Sequence, residues 1–125
     1  MPSVAITIPT LRGDETLEAC LRALNDQTYV DFQVVIVNNS GRELATSGYP
    51  FAFPIRVISP AANVGFGAAI NMAIRATDTR FVATLNDDTE PGPGWLAALV
   101  LEMESDPGIG MCASNIRLFG SDLFG

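Results

Sequence analysis

The chain is predicted to form an α/β domain built on a mostly parallel sheet. Short apolar runs of strand character recur along its 125 residues, and segments with apolar residues at helical spacing lie between most of them, as βαβ units require. A hydrophobic content of 48% suits a largely buried sheet, and this length holds one domain with one core.

Val4-Ala5-Ile6-Thr7-Ile8 reads as the first strand, stopped by Pro9. Glu15 to Leu24 carries Leu17, Cys20, Leu21 and Leu24 on one helical face. Phe32 to Val37 is the second buried strand, closed by the turn cluster Asn38-Asn39-Ser40-Gly41. Ile55 to Ile58 is a shorter strand after a loop in which Phe51 and Phe53 are expected to cover the sheet edge. Gly67 to Ala76 reads as a helix, Phe81 to Leu85 as a strand, and Trp95 to about Glu104 as a helix with Trp95 anchoring its start in the core. Ile109 to Ala113 is the last apolar run. The order is βαβ, β, αβ, αβ, with no repeat, low-complexity tract or interdomain linker.

Composition narrows the function. Seven cationic and fourteen acidic residues give a net charge of −7, which argues against nucleic acid as a partner because such affinity rests on clustered cations. The absence of His excludes His-dependent triads, and the two cysteines, Cys20 and Cys112, lack metal-ligand spacing and read as buried, reduced thiols. No apolar stretch reaches the length of a membrane span, and Met1 to Ile8 lacks a signal-peptide pattern, so a cytoplasmic location is the expectation, with the inner face of the membrane reached only through partners.

The most informative segment is Asn86-Asp87-Asp88-Thr89, where a buried strand surfaces into a loop. Adjacent carboxylates repel unless a cation, hydrogen-bond donors or solvent offsets them. The segment is either a metal-holding loop or an Asp-rich turn helped by Pro91-Gly92-Pro93-Gly94. If the first strand is central, with the second and third on one side and the Phe81 strand on the other, this loop faces Pro9-Thr10 across the switch point where open α/β sheets bind ligands. Asn63-Val64-Gly65-Phe66-Gly67 opens a helix; it is either plain punctuation or a place where backbone and helix N-terminus approach a phosphate.

Four segments in this order and spacing carry a family resemblance: Ile6 to Thr10 leading to Thr16-Leu17 and Cys20-Leu21; Val34 to Ser40; Asn63 to Asn71; and Leu85 to Glu90 before Trp95-Leu96. From Val4 to about Leu118 the chain resembles the N-terminal half of a family 2 glycosyltransferase, closest to the rhamnosyltransferase-like members. The resemblance implies the GT-A fold, a Rossmann-like three-layer α/β/α arrangement, with residues 1–125 forming a single donor-binding part. It implies that Pro9 and Thr10 line the nucleobase and ribose pocket with Asp14-Glu15 nearby, and that Asn38 stands at the base-holding position. Asn63, Gly65 and Gly67 match the loop closing over nucleotide and sugar, with Asn71 bracing it. Asn86-Asp87-Asp88 matches the DXD motif, whose last aspartate, Asp88, holds Mn²⁺ or Mg²⁺ against the donor diphosphate. Such a hard cation prefers oxygen ligands and neutralises charge on the departing nucleoside diphosphate.

Three departures qualify the match. Asn38 stands where the family usually has Asp, which leaves the base preference open. Asn86 replaces the first Asp of a strict DXD. No residue matches the family's catalytic base, a carboxylate of the second half that deprotonates the acceptor for inverting attack; Glu102, Glu104 and Asp106 read as the solvated end of a helix.

The implied activity is transfer of a sugar, rhamnose or another deoxyhexose, from a UDP- or dTDP-linked donor to a glycan or lipid-linked acceptor, as in polysaccharide biosynthesis. The alternative is a non-catalytic nucleotide-binding or assembly module built on the same half, or a truncated inactive fragment of that family. The apolar tail Ile116 to Phe124 leads to an expected self-association. Arg12 is either a diphosphate contact or an exposed loop residue. A phospho-receiver domain and a P-loop nucleotidase both require a lysine that the chain lacks.

Overall fold

The computed structural model describes residues 2–44 and 51–111. Seven elements follow one another: β1 (Val4–Thr10), α1 (Glu15–Asn25), β2 (Phe32–Asn38), β3 (Ile55–Ile58), α2 (Phe66–Arg75), β4 (Phe81–Thr84) and α3 (Trp95–Ser105). All strands are parallel, in the order β3-β2-β1-β4, so β1 is central and the order reverses between β1 and β4.

Alternation along the strands sorts side chains to two faces. Val4, Ile6 and Ile8 of β1 stand opposite Phe32, Val34 and Ile36 of β2, and these six are buried against Leu17, Cys20, Leu21 and Leu24 of α1 and Leu96 and Val100 of α3. Val35 and Val37 point the other way and bury Ala69 and Ala73 of α2, whose small side chains let the helix lie close. The result is three layers, α/β/α. Each fully buried Ile or Leu of the larger cluster contributes about 1.5–3 kcal/mol by leaving water, so the α1 face carries most of the stability. Trp95 packs against that cluster as expected.

Phe53 does more than cover an edge. It is buried in the α1-side core, its ring centroid 5.1 Å from that of Phe32 and 5.4 Å from that of Phe51. The loop is fastened where the Ala52 N–H donates to Asn25 Oδ1 at 3.0 Å.

The largest difference from the expected boundaries is at Pro9, which the strand runs through. Ser3 and Thr7 accept the N–H groups of Phe81 and Leu85, whereas Thr10 accepts that of Asn39, so odd-numbered residues of β1 face β4 and even-numbered ones face β2. The missing N–H of Pro9 therefore falls on the β4 side, where the β1–β4 pairing has already ended at Thr7 and Thr84. Proline interrupts one ladder and leaves the other intact. The two strands part at that point, and the gap between them is the crevice. The expected last strand is not formed at Ile109–Met111, and its remainder, Cys112 and Ala113, lies outside the described residues, as does the tail Ile116 to Phe124.

Candidate functional site

An open crevice of ≈ 300 Å³ lies at the carboxyl ends of β1 and β4, lined by Pro9, Thr10, Leu11, Asn63, Gly65, Phe66, Asn86, Asp87 and Asp88. It therefore occupies the switch point of the sheet. Three segments distant in sequence meet there: the exit of β1, the entry to α2, and the loop after β4.

Thr10 joins two of them. Buried to 1% exposure, it donates its hydroxyl to Asp87 Oδ2 at 2.6 Å and accepts the Gly13 N–H at 3.0 Å. Asn86 shapes the same loop, its carbonyl accepting the Thr89 N–H at 3.3 Å and the Thr89 hydroxyl at 2.6 Å. Beneath it the Cys20 thiol donates to the same carbonyl at 3.8 Å. Burial pushes that thiol up to about 12, and the neighbouring Asp87 carboxylate adds to the effect. Cys20 is thus a neutral prop, and Asp88 is left exposed at the crevice.

On the opposite wall Asn63 Oδ1 accepts the Gly65 N–H at 2.9 Å, closing an Asx turn that leads into α2. Gly65 caps the helix at φ 81° and ψ 171°, a conformation only glycine adopts without strain. The first-turn N–H groups of α2 have no intrahelical partner, and no acidic residue stands in that turn, so this end carries partial positive charge unopposed. The crevice thus sets a hydrogen-bonding, electropositive helix end against an acidic loop.

Asn38, Asp14 and Gly67 do not line it. Asn38 is 3% exposed and its amide is committed: Nδ2 donates to the Arg42 carbonyl at 2.7 Å, while Oδ1 accepts the Ser40 N–H at 3.1 Å and hydroxyl at 2.6 Å. Asp14 is the N-cap of α1, accepting from Thr16 N–H and hydroxyl; the Thr16 hydroxyl bond lowers its pKa, with a smaller contribution from Arg12. Arg12 pairs with Asp14 at 3.5 Å, with its side chain 75% exposed. Gly67 lies in the first turn of α2, exposed, with nothing near its Cα face. Asn71 is likewise exposed on α2.

Gln27 escaped sequence reasoning. It is 5% exposed and ties the end of α1 to the segment that follows the acidic loop. The signal was present: Gln27 falls three positions after Leu24, continuing the buried stripe of α1, so a polar residue stands where an apolar one is due.

Among the described residues no group of three or more acidic or cysteine side chains converges as a ready-made metal cage. The donor set nevertheless fits a divalent cation of the Mg²⁺ or Mn²⁺ type, which is held by one or two carboxylates and completes its shell with substrate phosphates and water. An exposed Asp88 next to a tethered Asp87 provides such a partial shell.

A parallel sheet with loops gathered at its switch point, an acidic turn on one wall and a glycine-capped helix on the other defines an open α/β protein with a crevice where such sheets bind ligands. The glycosyl transferase family 2 model matches residues 5–124, and the chain belongs to that family. An uncharacterized glycosyltransferase of Haemophilus influenzae is 26% identical over 106 residues, covering 85% of this chain and 36% of that protein. The fold is that of GT-A glycosyltransferases. The mannosyltransferase PcManGT from Pyrobaculum calidifontis, solved with GDP-Man and Mn²⁺, superposes with a TM-score of 0.76 at 23% identity, covering 87% of this chain and 34% of that one. Residues 1–349 of S. aureus TarS, solved with UDP-GlcNAc, superpose with a TM-score of 0.73 at 17% identity, covering 93% and 38%. The chain thus spans little more than a third of the length of these proteins.

Proposed function

We propose that the chain forms the donor half of an inverting glycosyltransferase, binding a nucleoside-diphosphate sugar in the crevice between β1 and β4. The carrying observation is the Thr10–Asp87 hydrogen bond at the switch point, which holds one carboxylate in place and presents its neighbour Asp88 to the crevice. Pro9, Thr10 and Leu11 form the nucleoside side, and the α2 entry at Asn63–Phe66 receives the diphosphate, where unpaired backbone N–H groups favour an anion. Asp88, with Asp87 beside it, holds Mn²⁺ or Mg²⁺. The metal supplies Lewis-acid stabilisation of the leaving diphosphate. The protein's own part is to orient the diphosphate between the two walls and to keep the acidic loop from closing on itself.

Family membership and the nucleotide-sugar complexes of the two superposed proteins support a nucleotide sugar as ligand. The resemblance to rhamnosyltransferase-like sequences supports a UDP- or dTDP-linked deoxyhexose, transferred to a glycan or lipid-linked acceptor. The committed amide of Asn38 leaves base selection to other groups, which brings GDP within range as a donor nucleotide. In this reading the acceptor site and the catalytic base are supplied from outside the crevice residues. No helix among the described residues is long and apolar enough to cross a membrane, and a cytoplasmic site of action is part of the proposal.

Calorimetric titration with UDP, dTDP and GDP, each with Mn²⁺ and then with excess chelator, tests this reading. Metal-dependent binding of one of them is the expected result. A folded chain that binds none of the three refutes it.

A further inference from the structure

We propose that Gln27 is a positioning residue for the acidic loop, a buried amide that fixes the return of this loop into α3 and so holds Asp87 and Asp88 at the crevice. The inference rests on the donor-half reading for its consequence in ligand binding, but its structural content stands apart.

The near end of the segment between β4 and α3 is tied by the Leu85 N–H to the Thr7 carbonyl at 3.0 Å and by Asp87 to Thr10 at 2.6 Å. Its far end cannot tie itself in the same way. Pro91 and Pro93 have no N–H to donate, and Gly94, the N-cap of α3, has no side chain to receive the first free N–H groups of the helix. Gln27 supplies both missing functions from across the core. Its Nε2 donates to the Gly92 carbonyl at 2.7 Å, with the Pro91 carbonyl at 3.5 Å and the Ala23 carbonyl at 3.3 Å on the same nitrogen. Its Oε1 accepts the Leu96 N–H at 3.1 Å, the second residue of α3, which is the bond an N-cap side chain would make. The neighbouring Thr28 N–H adds a bond to the Pro93 carbonyl at 2.9 Å.

One amide at 5% exposure thus serves as a borrowed helix cap at one end and a carbonyl clamp at the other. Only Gln has both groups at this reach. Gln27→Glu keeps the cap acceptor but turns an oxygen toward the Gly92 and Ala23 carbonyls, whereas Gln27→Met keeps the volume and removes both functions. Loosening the far end releases the loop to pivot about the Thr10–Asp87 bond, which moves Asp88 relative to the helix end opposite.

Two measurements on the full chain test this, with Val35→Ala as a control that destabilises the α2 side of the sheet away from the loop. Hydrogen exchange in the segment 86–96 should accelerate in both Gln27 variants and stay unchanged in Val35→Ala. The Mn²⁺-dependent part of UDP or GDP affinity should fall about tenfold in the Gln27 variants, as for other groups that orient a metal's ligands, with affinity in chelator unchanged. Exchange in 86–96 that is unaffected by Gln27→Glu and Gln27→Met, or a loss of affinity that Val35→Ala reproduces at equal folded fraction, overturns the proposal. If the wild-type chain binds no nucleotide, the donor-half reading fails, and the exchange comparison alone decides the role of Gln27.

Discussion

Thr10 and Asp87, 77 residues apart in sequence, share a hydrogen bond of 2.6 Å at the base of the crevice. The threonine oxygen also accepts the Gly13 N–H at 3.0 Å, so one hydroxyl orients both the β1 exit loop and the acidic loop. Thr10→Val keeps the shape and removes both bonds, leaving a half-buried N–H and a half-buried carboxylate without their partner. The expected cost is about 1–3 kcal/mol, read as a lower urea midpoint at unchanged slope. Thr10→Ser, which retains the hydroxyl, should recover most of it.

Asp88 behaves differently because it is exposed and makes no bond on which the fold depends. Asp88→Ala should leave the urea midpoint within about 0.5 kcal/mol of the parent while abolishing the metal-dependent component of UDP binding in calorimetry. Retained Mn²⁺ dependence in this variant would remove Asp88 from the metal site.

At Gly65 the strain is backbone alone. A methyl group there would meet nothing within 4 Å, yet φ of 81° with ψ of 171° is a glycine conformation. Gly65→Ala should cost about 1–3 kcal/mol, and the loop can relieve it only by turning away from the crevice. Weaker nucleotide binding in chelator as well as in Mn²⁺ distinguishes this from the Asp88 variant.

The architecture was legible because β1, β2 and the helices repeat a plain pattern, with β-branched runs followed by apolar stripes at helical spacing. The strand order entered the sequence reading only as a condition, a central β1, and the pairings of the folded chain supply it. Pro9 misled at the boundary because its effect depends on which neighbour its missing N–H faces, and that is a property of the sheet. The crevice gathers Pro9, Thr10, Asn63, Gly65, Asn86, Asp87 and Asp88 as the motifs implied. Asn38 and Asp14 were placed near the nucleotide by the family resemblance, and the motif alone does not reveal which local bonds their side chains make. Only the folded chain shows their atoms bonded to a local turn and a helix start. Gln27 showed in sequence only as a polar residue on an apolar stripe, and its role was not legible because the partners that define it, Gly92 and Leu96, lie more than sixty residues away.

Cys20 gives a pH prediction. Its thiol is raised to about 12 by burial and the nearby Asp87, whereas an unfolded cysteine ionises near its ordinary value of 9.0. The folded chain therefore holds a proton that the unfolded chain releases as pH rises past 9.0, so this contribution to stability is complete below that pH and is lost progressively toward about 12. Urea midpoints should fall over that alkaline window, and less so in Cys20→Ala after its lower starting stability is allowed for. Alkylation of Cys20 at pH 8, followed by peptide mass spectrometry, should be slow in the native chain and rapid in denaturant.

The central position of β1 also sets the order in which the molecule can be made. During synthesis β1 can pair with β2, and β2 with β3, before β4 has left the ribosome, because those partners lie close behind one another in the chain. The β1–β4 pairing joins Val4 to Phe81 and is the most distant in the sheet. Until it closes, one flank of β1 stands open to pair with any stray strand, and Thr10 waits for Asp87. The ligand crevice therefore cannot form until the loop after β4 has emerged, and a nascent chain stalled before Phe81 would carry most of the core, lacking Leu96 and Val100 of α3, but no complete crevice.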